Sequence, residues 1–348
     1  MRQKHKKQFI AVGATTASLS LFLTGCGGSA GAQPGTPAGS CEPLNGKTIS
    51  LVVPFSPGGG YDTFARIVAP KLGETLKAQV VVKNEPGAGG LVALNKLVHA
   101  KKDGTQIAII NGAGTASSIL AEAEGANFDL DDLSYIGRIG EDNTVVVSAA
   151  GSKYTSWKDV MASDGFRFGS TGPGASDYIA SSVLIEAFEL KNAKIVAGFA
   201  GKSEADLALL QQNVDGLAGS ADSRRAGIAG GEQIGLLSIA NERATEAPDA
   251  PTIGELELTE KQKMILDAQQ SVNDLGRSLV APAGVEAGVL ECLRGALETV
   301  ATDDGVLAQA EKQFRPISFV PGAEVEKDIV GKLKNLPGDY LTILKNSF

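Results

Sequence analysis

The sequence predicts an α/β fold with two lobes, a cleft between them and two connecting hinge strands. Three observations predict it: short apolar strand-like runs alternate with helical patterns, the alternation occurs twice, and glycine-rich turns follow corresponding strands in both halves. The first unit is the clearest. Residues 49–53 are apolar and β-branched, as suits a parallel strand covered on both faces. Pro54-Phe-Ser-Pro-Gly-Gly-Gly60 then turns the chain, and a helical pattern follows with Asp62 or Thr63 available as its cap. A glycine turn at a helix start presents free backbone N–H groups and a positive dipole end, which favour a carboxylate or other anion.

A second unit follows, with strand 79–84, the turn Glu85-Pro-Gly-Ala-Gly-Gly90 and a helical pattern over 91–99. The third has strand 106–111, a turn at Gly112-Ala-Gly-Thr115 and a helix to about residue 124. The runs 135–141 and 144–148 read as strands crossing into the second lobe. There the pattern repeats: strand 166–170 with the turn 171–177 and helix 178–188, then strand 194–197 with the turn 198–201 and a helix 203–212 capped by Ser203. A strand at 234–240 is followed by a break at Pro248-Asp-Ala-Pro251, and residues 257–276 are polar without a clear period. Residues 277–282 read as a strand returning to the first lobe. Helices at 287–302 and 306–313, a strand at 316–320 and a terminal helix from about 323 complete it. The expected division is 46–143 with 277–348 for lobe one and 144–276 for lobe two. Ligands in open α/β sheets sit at the carboxyl ends of strands, where all these glycine turns fall.

The first 25 residues read as a targeting segment. Arg2, Lys4, Lys6 and Lys7 precede a short apolar stretch that ends in Leu23-Thr-Gly-Cys26, the pattern of a bacterial lipoprotein signal with Cys26 as the lipidated residue. The expected flexible tether covers 26–45, and its fourteen small and polar residues at 27–40 span roughly 20 Å root-mean-square. Removing the signal takes away four basic residues and no acidic ones, lowering the formal charge from −8 to about −12. Such a chain does not suit nucleic acid, and any anionic ligand must be held by local dipoles. Cys41 and Cys292 are the remaining pair; in an oxidising compartment they form either a disulfide or two free thiols.

Catalytic and cofactor patterns fail on inspection. The two histidines are His5, in the signal, and His99, at a helix end. No Cys/His grouping has metal spacing, and no cofactor is implied. Gly27-Gly-Ser-Ala-Gly31 matches a nucleophile elbow without a preceding strand, and Gly46-Lys-Thr48 and Gly201-Lys-Ser203 lack the first glycine of a phosphate loop. What remains is a set of amide-lined loops with hydroxyls such as Ser56, Ser170 and Thr171, suited to hydrogen-bonding a carboxylate without covalent chemistry.

The ordered set Val53-Pro-Phe-Ser-Pro-Gly-Gly-Gly-Tyr-Asp62, Asn84-Glu-Pro-Gly-Ala-Gly-Gly90, Lys102-Asp-Gly-Thr105, Gly169-Ser-Thr-Gly-Pro-Gly174, Pro248-Asp-Ala-Pro-Thr-Ile-Gly-Glu255 and Ala281-Pro-Ala-Gly284 resembles the extracytoplasmic solute receptors of tripartite tricarboxylate transporters, also called Bug receptors. The resemblance covers about residues 46–340. It implies a type II periplasmic-binding-protein fold that closes over a small carboxylated solute, a monomer, and delivery to a permease of one large and one small membrane subunit. Carried over residue by residue, it implies ligand contacts at Phe55, Ser56, Gly58, Gly59, Asp62, Ala88 and Gly89 from lobe one. From lobe two it implies Ser170, Thr171, Gly172, Gly174, Phe199 and Asp222. The chain departs from the family at Gly198-Phe-Ala-Gly-Lys202, where a Pro-Tyr pair is usual, and over 256–276. A ligand-presenting sensory module for a membrane kinase is the alternative; an exported hydrolase is a third reading, which would require His99 as its base.

Overall fold

The computed structural model describes residues 41–348. The signal segment, Cys26 and the tether up to residue 40 lie outside the described residues. Residues 41–45 are not tether: Glu42–Leu44 forms a 3-10 turn, Leu44 is fully buried, and Cys41 is joined to Cys292 with a Cα–Cα distance of 5.3 Å.

The chain builds β1 (Thr48–Val53), α1 (Gly60–Leu76), β2 (Gln79–Asn84), α2 (Leu91–Val98), β3 (Gln106–Ile109), α3 (Gly112–Leu120) and β4 (Leu133–Gly140). It then enters β5 (Thr144–Ala149), α4 (Trp157–Met161), β6 (Arg167–Ser170), α5 (Ser176–Ala187), β7 (Lys194–Ala197), α6 (Lys202–Leu210), β8 (Gly216–Ser220), α7 (Ala221–Ala229) and β9 (Gln233–Ile239). The last part holds α8 (Glu260–Asn273), β10 (Arg277–Pro282), α9 (Ala287–Ala301), α10 (Asp304–Lys312) and the two-residue β11 (Val320–Pro321). It ends with α11 (Gly322–Glu324), a π-helical turn over Val325–Val330, α12 (Gly331–Leu333) and α13 (Gly338–Lys345).

Two sheets result, in the orders β11-β4-β10-β3-β1-β2 and β7-β6-β8-β5-β9. Within each, three strands are parallel (β2-β1-β3 and β7-β6-β8), as the alternating pattern predicts. Neither sheet is wholly parallel. β10 lies antiparallel to β3 and β4, and β5 lies antiparallel to β8 and β9. The reason is the crossover: Arg277, starting β10, sits opposite Gly140, ending β4, so the returning strand enters from the end at which the outgoing strand left. The turns after β1 and β2 therefore occupy the same places in the first sheet as those after β6 and β7 in the second.

One apolar cluster fills the face of the first sheet opposite α1 and α9 and continues into the second, joining Val52, Ala108 and Val280 to Val146, Phe168 and Ile179 through α3, α5, α8 and α13. The C-terminal helix α13 thus packs on helices from both halves rather than closing the first alone. A second cluster lies between the first sheet and α1 and α9, and a third between the second sheet and α6.

Several local expectations are corrected. Gly112–Thr115 is not a turn but the first turn of α3, capped by Asn111, whose Oδ1 accepts from the Gly114 N–H at 3.1 Å. The cap of α6 is Gly201 rather than Ser203, and that of α1 is Gly59. Residues 260–273 form a regular helix capped by Thr259. Of the expected strand 316–320, Val320 alone enters the ladder, continued by Pro321, while the Ser318 N–H donates to the Ile139 carbonyl at 3.1 Å.

Candidate functional site

At the end of β1, the loop of Phe55, Ser56, Gly58 and Gly59 leaves the sheet and runs into α1. Gly58 has φ 84°, a left-handed conformation that a side chain would strain. The carboxylate of Asp62, 3% exposed, turns back under the loop. It accepts the Gly58 N–H at 2.8 Å, Asn84 Nδ2 at 2.9 Å and Arg66 Nε at 2.9 Å. Asn84 also donates to the Phe55 carbonyl at 3.0 Å, tying the loop to the end of β2. Asp62 and the Gly58 amide thus shape the loop from beneath, while Ser56, Gly58 and Gly59 stay exposed. The amides of Gly60 and Tyr61 open α1, where a helix has no internal partners for its donors.

The Asp62 brace has a pH signature. Burial alone would raise its pKa, but the hydrogen bonds from Arg66, the Gly58 N–H and Asn84 outweigh burial and hold it below the ordinary 3.8. A group depressed in the folded state contributes order that is fully present above its unfolded value and lost as pH falls through the depressed one. The stability contributed by this brace is therefore expected to persist to about pH 4 and to fall only below it. Asp62→Ala, which leaves the Gly58 N–H and Asn84 without their acceptor, is expected to weaken binding about tenfold or more at neutral pH; thermal melts across pH 3–8 check the first and titration calorimetry at neutral pH the second.

The loop after β2 holds four successive residues with positive φ: Gly87 (146°), Ala88 (46°), Gly89 (64°) and Gly90 (107°). Three are glycines. Ala88 carries a Cβ in this region at a cost of about 1–2 kcal/mol, which marks the turn as held in shape by its surroundings. The Gly90 N–H closes the turn on the Gly87 carbonyl at 2.9 Å, which leaves the consecutive Ala88 and Gly89 N–H groups to form an anion-binding nest. Cβ atoms at Gly87 and Gly90 would come within 2.9 Å of Val92 and 3.2 Å of Pro54, so those glycines also serve close packing.

In the second sheet, Ser170, Thr171, Gly172 and Gly174 follow β6, and Asp177 plays the part that Asp62 plays in the first. It accepts from Ser170 Oγ at 3.1 Å, the Thr171 N–H at 2.9 Å and Thr171 Oγ1 at 3.0 Å, while the Gly172 N–H donates to Ser170 Oγ at 3.2 Å. Those donors, expected to point at the solute, are spent on the brace in this structure. The chain then comes back towards the first loops. A Cβ on Gly89 would lie 3.6 Å from the Gly174 carbonyl oxygen, and one on Gly114 3.2 Å from that same atom. The nest after β2, the start of α3 and the loop after β6 therefore meet, and the ring of Phe348 packs on Gly174.

Phe199 adjoins this loop through its N–H, which donates to the Ser170 carbonyl at 3.4 Å. Its ring packs against the third core cluster, 3.3 Å from where a Cβ on Gly169 would be. Asp222, at the start of α7, is held between two guanidinium groups, Arg277 at 3.0 Å and Arg315 at 3.1 Å. Arg277 also lies 3.6 Å from Asp142 and stacks over the rings of Tyr61 and Phe64, and the Tyr61 hydroxyl donates to Asp142 at 3.4 Å. Burial raises the pKa of Asp142 despite Arg277. Burial would raise Asp222 too, but Arg277 and Arg315 outweigh it and hold it low. Burial, then Asp142, pushes the Tyr61 hydroxyl upward. A cavity of 280 Å³ lies beside this cluster, lined by Phe64, Glu141, Asp222, Arg243, Arg277 and Ser318; of the residues expected to touch a solute, Asp222 alone reaches it.

Sequence reasoning missed Asp177, Asn111, Arg277 and Arg315. Asp177 had a signal, since an aspartate follows the glycine turn just inside the helix, as Asp62 does. Among the described residues no grouping of side chains is suited to a metal ion, and no helix is long and apolar enough to cross a membrane.

The family model described as "Tripartite tricarboxylate transporter family receptor" matches residues 64–308. The protein BugT of Bordetella pertussis is 24% identical over 316 residues, covering 83% of this chain and 95% of that one. A UPF0065 protein of a Pseudomonas species is 28% identical over 214 residues, 60% of this chain and 63% of that one, so the match spans less than two thirds of that relative. Among solved structures, a TctC solute-binding protein from Polaromonas has a TM-score of 0.67 at 20% identity, covering 86% of this chain and 98% of that chain. MatC from Rhodopseudomonas palustris with bound malate has a TM-score of 0.66 at 18% identity, covering 86% and 98%. A second R. palustris protein, solved with adipate, has a TM-score of 0.67 at 16% identity, covering 86% and 97%. At these identities the likeness establishes the fold, which is the type II periplasmic-binding-protein arrangement.

Proposed function

Since the chain belongs to the tripartite tricarboxylate transporter receptor family, whose members are solute receptors and not enzymes, we propose that it is a lipid-anchored extracytoplasmic receptor that captures a small carboxylate and delivers it to a membrane permease. One observation carries the solute class: the left-handed nest of Gly87–Gly90 comes within contact of the Gly174 loop of the other sheet, beside the open amides of α1. Backbone donors of the turn after β2 and of the α1 start suit an acceptor-only group such as a carboxylate, and they need no net positive charge on the protein; the second half brings the Gly174 loop against them. The structural neighbours solved with malate and adipate support a carboxylate as the solute.

On this reading lobe one comprises 46–143 and 277–348 and lobe two 144–276, with α13 reaching across to lobe two. Ser56, Gly59, Ala88 and Gly89 contact the solute from lobe one and Gly174 from lobe two, while Gly58, Asp62, Ser170, Thr171 and Gly172 set the shape of the loops. Cys26 bears the lipid, and the segment up to residue 40 links it to the folded body. Closure around the solute would supply the difference in affinity that a permease senses. Isothermal titration of the purified protein against succinate, malate, adipate, citrate and benzoate tests the reading: saturable heat and a thermal shift with at least one are expected, and a null response to all contradicts it.

A further inference from the structure

α13 lies against helices of both halves of the molecule, and the turn after it leads to the site. Its buried face follows the helical period: Tyr340 and Leu344 are fully buried and Ile343 nearly so. These side chains belong to the apolar cluster that joins α3 and α8 to α5. Within it the Tyr340 hydroxyl donates to Gln269 of α8 at 3.0 Å, and Gln269 donates to Asn273 at 2.8 Å. Asn273 in turn donates to the Thr144 hydroxyl at 3.4 Å, where β5 begins and the chain enters the second sheet. A buried polar chain of this kind favours a single arrangement, because an unpaired member inside an apolar core is costly.

Past α13 the backbone is turned by its own hydrogen bonds. The Asn346 N–H donates to the Thr342 carbonyl at 3.1 Å, the Ser347 N–H to the Leu344 carbonyl at 2.9 Å, and Ser347 Oγ to the Ile343 carbonyl at 2.8 Å. This brings the Phe348 ring, 41% exposed, onto Gly174, where a Cβ would lie 3.0 Å from Phe348 Cε1. Gly174 has φ 80°, and its carbonyl oxygen faces Gly89 and Gly114. The ring therefore meets Gly174 at its Cα, and the turn after β2 and the start of α3 meet it at its carbonyl.

We propose that Phe348 is a positioning residue of the solute site and that α13 is the strap carrying it: the ring sets how closely the Gly174 loop approaches the Ala88 and Gly89 amides. The proposal rests on the site reading above. The turn after β2 takes its shape from its own backbone, so the variable in the site is the placing of the loop opposite. Gly174 has no side chain with which to hold itself there. A ring delivered from a helix packed on both halves fixes that placing, whichever solute is bound. Being half exposed, the ring adds little to the core, which separates its positioning role from the structural role of Tyr340.

Hydrogen–deuterium exchange of the purified protein without added solute is the first test. The Thr171, Gly172 and Ala175 amides donate to Asp177, Ser170 Oγ and the Gly172 carbonyl. In Phe348→Ala they are expected to exchange about tenfold faster than in the wild type, with α8 and the melting temperature unchanged. Titration with succinate, malate, adipate, citrate and benzoate should show about tenfold weaker binding of whichever acids the wild type takes, through faster dissociation. Phe348→Tyr, which keeps the ring, should restore both readouts. Unchanged exchange at those three amides in Phe348→Ala overturns the proposal. So does faster exchange that spreads through α5 and α8 with a lower melting temperature, since the ring would then serve the fold alone. Loosened amides with unaltered solute affinity overturn it as well, because the loop would not be shaping the site. The exchange arm needs no solute: if none of the acids binds the wild type, the carboxylate reading falls, and exchange still decides whether Phe348 places the loop.

Discussion

Arg277→Met is expected to lower the free energy of unfolding by about 3–5 kcal/mol, the usual consequence of removing one member of a buried ionic group. Arg277 is 4% exposed and lies between Asp222 and Asp142, whose side chains are 9% and 6% exposed. Without it Asp142 keeps the Tyr61 hydroxyl and Asp222 keeps Arg315 and the Ser220 side chain. Methionine fills much of the volume and preserves packing against Tyr61 and Phe64, so the loss reports charge rather than a cavity. The single tryptophan, Trp157, is 2% exposed at the start of α4 and provides the fluorescence signal for urea unfolding. Adding Asp142→Asn to Arg277→Met should restore part of the loss, because burial already disfavours the charged form of Asp142. A loss below 1 kcal/mol would mean that water reaches this cluster and screens it.

The second large effect concerns the other end of the first sheet. Reducing the Cys41–Cys292 bond, or replacing both residues with serine, is expected to destabilise the protein by about 2–5 kcal/mol. The bond spans 251 residues of sequence, so breaking it releases a long closed loop in the unfolded chain. In the folded state it fixes the chain just ahead of β1 to α9, where Cys292 is 2% exposed and Leu44 is fully buried. Urea melts with and without reductant measure the difference. Alkylation of both thiols in native protein without reductant would show that the bond does not form.

Much of this architecture was legible in the chain. Alternating runs with glycine turns marked both halves, and the crossing near residue 140 stood out because two strand-like runs there have no helix between them, while 277–282 read as a returning strand after a stretch without a clear period. What was hidden has physical causes. β8 reads Gly216-Leu-Ala-Gly-Ser220, with no β-branched residue, because the Phe166 ring lies 2.5 Å from where a Cβ on Gly216 would be, and the Arg224 guanidinium crowds Gly219. α8 lacked a clear apolar stripe because part of its buried face is polar: Gln269 accepts from the Tyr340 hydroxyl at 3.0 Å and donates to Asn273 at 2.8 Å. The glycine at 112 suggested a turn, yet it serves close approach inside a helix, since a Cβ there would strike the Gly276 backbone at 2.6 Å. In the site, the loops that carry their own backbone signature were readable. The charge cluster was not, because Arg277 and Arg315 meet Asp222 across 55 and 93 residues and no local pattern announces such a meeting.

A crystal structure with the carboxylate that binds tightest in titration tests the central claim most directly. The account predicts a carboxylate oxygen about 2.7–3.1 Å from at least one amide of the Gly59, Ala88 and Gly89 group, directly or through one bridging water, with the Gly174 loop closing from the other side. A carboxylate seated instead in the cavity beside Arg243, with those amides facing bulk solvent, would contradict it.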